Sequence, residues 1–151
     1  MARIVPQHDD PACCFSQLKG RDVPMNRSQM MAAVRSKNTR PEMLVRRLVH
    51  SMGYRYRLHR RDLPGKPDLA FVAKRSVIFV HGCFWHQHGC VGSHLPRSNA
   101  QYWTPKLLRN QTRDAEHLKS LRKQGWRCLV LWECELCRTA ALRKRIARFL
   151  G

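Results

Sequence analysis

The stretch Val77–Cys90, VIFVHGCFWHQHGC, turns from a β-branched apolar run into a cluster of histidines, cysteines and aromatics. Val77 to Val80 has the composition of a buried strand. His81, Cys83, His86, His88 and Cys90 follow at once, with Phe84 and Trp85 between them. Thiols and imidazoles at this density mark a metal site, a catalytic site, or both side by side. The second half of the chain must therefore be read for a partner strand and for missing ligands.

Upstream, Thr39 to Gly53 carries the signs of a helix: Thr39 and Glu42 as a capping box, Pro41 in the first turn, Gly53 at the end. Leu44, Leu48 and Met52 are the expected buried stripe, and Glu42 reads first as the cap. Tyr54 to His59 alternates like a half-buried strand, Leu63–Pro67 is a turn, and Asp68 to Val72 is a second strand. Lys74 and Arg75 link it tightly to Val77–Val80, so Asp68 opens one strand of a hairpin and His81 closes the other. Gly82 to about Ala100 reads as loop. Tyr102 and Trp103 lead into a helix from about Pro105 to Gln124, whose many basic residues read equally as a solvated face or as phosphate contacts. Trp126–Trp132, WRCLVLW, is expected to be a strand buried on both faces. Thr139 to Leu150 forms a last basic helix. The expected architecture is α/β, a mixed central sheet flanked by helices. Residues 1–24 read as a loose extension and 25–151 as one domain, with Arg27–Lys37 a short basic helix or arm holding Met30 and Met31.

The 151 residues carry 29 Lys and Arg against 10 Asp and Glu, a net charge of +19 with a pI near 10.9. Such a balance points to a polyanion, with nucleic acid ahead of a ribosomal or membrane-surface role. No run spans a bilayer and no export signal opens the chain, so the expected compartment is the cytoplasm. Seven cysteines without an export signal favour metal ligation or free thiols over disulfides.

Cys83, His88 and Cys90 give C-x4-H-x-C, three ligands of a closed tetrahedral site. Cys134, just past the WRCLVLW strand, is the best fourth ligand, with Cys137 in reserve. Three thiolates and one imidazole favour Zn²⁺ in a structural role. That set leaves Asp68, His81 and His86. For phosphodiester hydrolysis Asp68 would hold Mg²⁺, and His86 and His81 would serve as base and phosphate partner.

The runs Leu63–Asp68 (LPGKPD), Val77–His86, Tyr102-Trp103, and Gly125-Trp-Arg through Trp132-Glu-Cys134 resemble the very-short-patch repair (Vsr) endonucleases in order and spacing over residues 25–150. The resemblance implies a restriction-endonuclease-like (PD-(D/E)xK) fold with a structural zinc. It implies a nick 5′ of the thymine in T:G mismatches left by 5-methylcytosine deamination. Asp68 would bind Mg²⁺ with the backbone of Val80, where familiar members carry threonine, so a hydroxyl is missing here. His81, His86 and Glu42 would be catalytic, and Cys83, His88, Cys90 and Cys134 would hold zinc. Phe84, Trp85 and Trp103 would enter the duplex, with Met31 wedging from the opposite groove; by itself Trp103 also reads as core. The implied partner is double-stranded DNA, met by a monomer, beside mismatch-repair proteins and a cytosine methyltransferase. The alternative is a zinc-stabilised DNA-binding module without catalysis.

Overall fold

A computed structural model describes residues 38–93 and 100–151. The proposed extension 1–24, the basic arm and Met31 lie outside the described residues. Within them, four strands form one sheet in the order β1 (Arg57–Leu58), β2 (Leu69–Phe71), β3 (Ser76–His81), β4 (Arg127–Trp132). β1–β2 and β2–β3 are antiparallel, and β3–β4 is parallel. The helices are α1 (Arg40–Ser51), α2 (Cys83–His86), α3 (Ala100–Lys123) and α4 (Thr139–Leu150). The sheet is mixed and flanked by helices, as the sequence pattern implied. No helix among the described residues is long and apolar enough to cross a membrane.

The alternation of strand side chains divides the core into two layers. On one face Leu69, Phe71, Ile78 and Leu131 pack with Val45 and Val49 of α1 and Leu142, Ile146 and Leu150 of α4. On the other, Ala70, Val77 and Phe79 pack with Leu63 and with Leu121 of α3. Val77 and Ile78 are neighbours in sequence and belong to opposite layers. This explains why the run is continuously apolar: β3 is central and covered on both sides.

Four expectations need correction. The inward face of α1 is Glu42, Val45, Arg46 and Val49, while Leu44 is 43% exposed; Leu48 and Met52 only flank the core. Two polar residues occupy inward positions that a hydrophobicity pattern assigns to leucine. The strand expected over Tyr54–His59 shrinks to Arg57–Leu58, because Tyr54 and Tyr56 turn edge-on to Phe71 and His59 takes a left-handed φ of 43°. Tyr102, Trp103 and Pro105 lie inside α3, which starts at Ala100. β4 is the outer strand, with Arg127 exposed, Cys128, Leu129 and Val130 half-buried, and only Leu131 fully covered. Its hydrophobicity reflects two partly covered faces rather than two dry ones.

Candidate active site and metal centre

The parallel register sets His81 of β3 opposite Trp132 of β4. Both strands therefore end at one level, and each chain bends there. Beyond β3 the chain enters α2, with Cys83 as its first residue; beyond β4 it enters the tight turn Glu133–Glu135, which carries Cys134. Each cysteine follows its strand's last residue by two positions, and the two meet above the sheet. His88 Nε2 lies 3.3 Å from Cys83 Sγ and 3.4 Å from Cys134 Sγ. The ligand atoms of Cys83, His88, Cys90 and Cys134 all fall within 4.8 Å of one another. A tetrahedral Zn²⁺ with ordinary Zn–S and Zn–N bonds would hold sulfur and nitrogen about 3.6 Å apart. The donor set and its spacing thus fit such an ion. Burial pushes the Cys134 thiol up to about 11, and burial raises Cys83 as well, so a bound cation has protons to displace. Ser93, itself buried, places its hydroxyl 3.5 Å from Cys90 Sγ. Cys137, the reserve ligand, is exposed and outside this cluster. Cys128, expected in the core, is half-buried against the Leu121 layer.

Trp132 separates this centre from a second one. Its indole stacks on His88 at 4.0 Å and meets His81 edge-on at 5.3 Å. Beyond it opens a cleft of about 1260 Å³ reaching Glu42, Asp68, His81, His86 and Asp114. Asp68 stands just before β2, and its Oδ2 accepts the Val80 N–H at 2.7 Å across the hairpin. The Val80 side chain packs against the α1–α4 layer, so its contribution to the cleft is backbone. Burial pushes Asp68 up to about 6, against the opposing pull of the Val80 N–H. Burial, and next the neighbouring His86, hold His81 down at about 4, so it is neutral at physiological pH. The two imidazoles stack face to face, centroids 3.9 Å apart. His86 Nδ1 donates to Asp114 Oδ2. Burial would raise Asp114, but the hydrogen bond from His86 and its charge hold the carboxyl below its ordinary range. With Nδ1–H committed to Asp114, a neutral His86 carries its lone pair on Nε2, the form a base requires.

Asp68, His81, His86 and Glu42 line the cleft, and Cys83, His88, Cys90 and Cys134 form the thiol–imidazole cluster. Glu42 is both the helix cap and a member of the cleft: Oε2 accepts the Thr39 N–H at 3.1 Å, while a carboxylate oxygen lies within 4.8 Å of a ring nitrogen of His59 and a carboxylate oxygen of Asp68. Phe84 and Trp85 are half-buried, and Trp103 is buried at 8% exposure against both, with ring centroids 5.4 and 6.0 Å away. Lys106 lies over Trp85, Tyr102 and Trp103 at 5.7, 5.2 and 5.3 Å.

Sequence reasoning missed Asp114, His59 and Arg46. Asp114 hides in a helix dominated by cations. Its signal was spacing: Asn110 bonds the Trp85 carbonyl at 3.2 Å and Gln111 the Gln87 carbonyl at 2.6 Å. Asn110, Gln111 and Asp114 form the polar i, i+1, i+4 patch that clamps α2 onto α3.

The carboxyl of Asp68 carries a testable cost. Its folded value of about 6 lies above the 3.8 of an ordinary aspartate, so the folded protein keeps a proton that the unfolded chain has lost. Stability therefore falls as pH rises from about 4 to about 6 and stays reduced above that. Asp68→Asn is expected to stabilise the protein by about 1–3 kcal/mol at pH 7 without added divalent ions, and by almost nothing below about pH 4. Urea unfolding at both pH values checks this; a gain that persists undiminished at low pH would refute it.

The profile of the family described as DNA mismatch endonuclease Vsr matches residues 22–92. A type II nicking enzyme of Xanthomonas oryzae, V.XorIIP, is 53% identical over 127 residues, 84% of this chain and 93% of the relative. The type II nicking enzyme V.NmeAIP of Neisseria meningitidis is 40% identical over 124 residues, covering 82% and 89%. The DNA mismatch endonuclease Vsr of Escherichia coli is 37% identical over 110 residues, covering 73% and 70%. The profile match takes in LPGKPD, the β3 strand and its His–Cys segment, and with these relatives it shows that the chain belongs to the Vsr family.

Proposed function

We propose that this protein is a strand-specific DNA endonuclease that nicks 5′ of the thymine in T:G mismatches arising from 5-methylcytosine deamination. The observation that carries the reading is the cleft itself: Asp68, a stacked histidine pair and a carboxylate-oriented His86 converge in one cavity on a chain of charge +19. A restriction-endonuclease-like core agrees with an aspartate at the edge of a β-hairpin in a mixed sheet. Basic side chains supply salt-dependent attraction to the phosphate backbone.

Asp68, with the backbone of Val80, would hold Mg²⁺, and Cys83, His88, Cys90 and Cys134 would hold Zn²⁺. When bound, Mg²⁺ neutralises charge on the scissile phosphate and stabilises the leaving oxygen. His86, oriented by Asp114, takes a proton from the attacking water at Nε2. As the water oxygen bonds to phosphorus, the P–O bond to the leaving sugar oxygen breaks. His81, neutral, donates a hydrogen bond to a phosphate oxygen. Phe84 and Trp85, with Trp103 buried behind them, form one aromatic edge beside the cleft; the three would enter a step weakened by a T:G pair, Trp103 by leaving its packed position, and Met31 would act from the opposite groove. The working form is a cytoplasmic monomer on duplex DNA, serving lesions at sites of a cytosine methyltransferase and sharing substrate with mismatch-repair proteins.

The test is nicking of end-labelled duplexes carrying T:G, A:T or G:C at one position within methylation sites, with Mg²⁺. Cleavage only at T:G, on the thymine strand and 5′ of the thymine, is expected. Equal cleavage of all three, or tight binding without any nick under Mg²⁺ or Mn²⁺, would refute it. Asp114→Ala leaves the ring of His86 without its acceptor, and is expected to lower the single-turnover rate about 10²-fold with DNA affinity unchanged. An unaltered rate would remove Asp114 from the mechanism.

A further inference from the structure

Glu42, His59 and Asp68 present ligand atoms within 4.8 Å of one another, a set that suits a divalent ion on chemistry alone. A guanidinium already stands in it. Arg46, one helical turn after Glu42 on α1, is 6% exposed. Its Nη2 donates to Glu42 Oε1 and lies 2.7 Å from His59 Nε2, while its Nη1 donates to Asn38 Oδ1 at 2.7 Å. His59 Nε2 also lies 3.0 Å from Glu42 Oε1, so imidazole, carboxylate and guanidinium close one triangle. Glu42 Oε1 and His59 Nε2 are thereby both occupied within that triangle. Glu42 Oε2 is spent on the Thr39 N–H. Asp68 differs: its bond from Val80 involves Oδ2, and it takes no hydrogen bond from Arg46.

We propose that Arg46 is a resident cation that fills the Glu42–His59 side of the cleft and confines the divalent metal to Asp68. The inference rests on Asp68 being the metal ligand, as proposed above. A fixed guanidinium supplies positive charge beside the reacting phosphate without an ion having to be recruited, and it keeps two buried carboxyls from facing each other unscreened. Arg46 touches no reacting atom; it is a positioning residue that sets the metal count and the metal preference. Without it, the three side chains would form an N,O site preferring Mn²⁺ to Mg²⁺, because imidazole is a poor ligand for Mg²⁺.

The experiment is Mn²⁺ titration of the zinc-loaded protein without DNA, with free Mn²⁺ followed by electron paramagnetic resonance. Mn²⁺ does not compete for the thiolate centre. Wild type should bind no more than one Mn²⁺, weakly, and His59→Ala should bind it equally. Arg46→Met should gain a site at least about ten-fold tighter, an imidazole and a freed carboxylate having been added, and the gain should vanish in Arg46→Met/His59→Ala. Two ions in wild type, or loss of its single site in His59→Ala, would overturn the proposal, and neither needs the Arg46 variant to fold. A folded Arg46→Met with wild-type affinity would also overturn it. Asp68→Ala that still binds as wild type does would instead refute the metal assignment of Asp68, leaving Arg46 to be judged by its own variants.

Discussion

Asp68→Ala is expected to lower the nicking rate by at least about 10³-fold, with affinity for T:G duplex unchanged or slightly improved. Asp68 is the carboxyl that the hairpin delivers to the cleft without a hydrogen bond from Arg46. If Asp68 holds Mg²⁺ as proposed, removing it takes away the oxygen anchor for a cation worth several kcal/mol in the transition state, and no neighbour is placed to replace it. Glu42 is tied to Arg46, and Asp114 to His86. DNA affinity, by contrast, is expected to come from phosphate contacts spread over a chain with 29 Lys and Arg, and an acidic side chain opposes them. Single-turnover cleavage and equilibrium binding in one salt give the two numbers. A variant retaining more than about a tenth of the rate would move the catalytic cation elsewhere, since such a loss is only about 1.4 kcal/mol.

Much of this arrangement can be read from residue order because it is local. The capping box of α1, the hairpin that sets Asp68 beside β3, and the thiol–imidazole spacing each lie within a short span. Cys134 was accessible by one further step: a ligand just past an apolar strand belongs at the same sheet edge as one just past its neighbour, and the register His81 to Trp132 places it there. The zinc set and the aspartate–histidine set could therefore be separated by sulfur against oxygen chemistry alone.

What stayed hidden depends on which face of a helix turns inward. Arg46 and Asp114 are charged residues on α1 and α3, where a charge ordinarily marks solvent. Each points inward because the cleft wall is polar, and each is paired with a partner distant in the chain or across a turn: Arg46 with Glu42, Asp114 with His86. A hydrophobic stripe drawn through Leu44 is thus displaced toward Val45 and Val49 by the demands of the site. Local patterning fails where function places polar groups in the interior. His59 is a case of the same kind. Its left-handed backbone ends β1 early and brings its imidazole against Glu42, at 3.0 Å, and nothing in the alternation of Tyr54–His59 signals that turn.

Loss of the zinc centre is expected to be the most damaging structural change. The four proposed ligands lie on three segments: α2, the stretch from His88 to Ser93, and the turn after β4. α2 is a single turn, too short to persist by its own hydrogen bonds. It carries Phe84, Trp85 and His86, so the aromatic edge and the proposed general base share the same anchorage. Ion binding to thiolates contributes on the order of 10 kcal/mol in small zinc domains; here the two apolar layers of the sheet should survive its removal. Cys134→Ser is therefore expected to lose its equivalent of zinc and to lower the melting temperature by more than about 10 °C. Nicking should become undetectable while the β-sheet signal in far-ultraviolet circular dichroism persists. Cys137→Ser, altering an exposed thiol outside the cluster, should keep zinc, melting temperature and rate. Zinc content of the two purified variants decides the matter. If Cys137→Ser loses the ion and Cys134→Ser retains it, the fourth ligand has been assigned to the wrong side of the turn. If neither loses it, the sheet ends are not held by a metal at all.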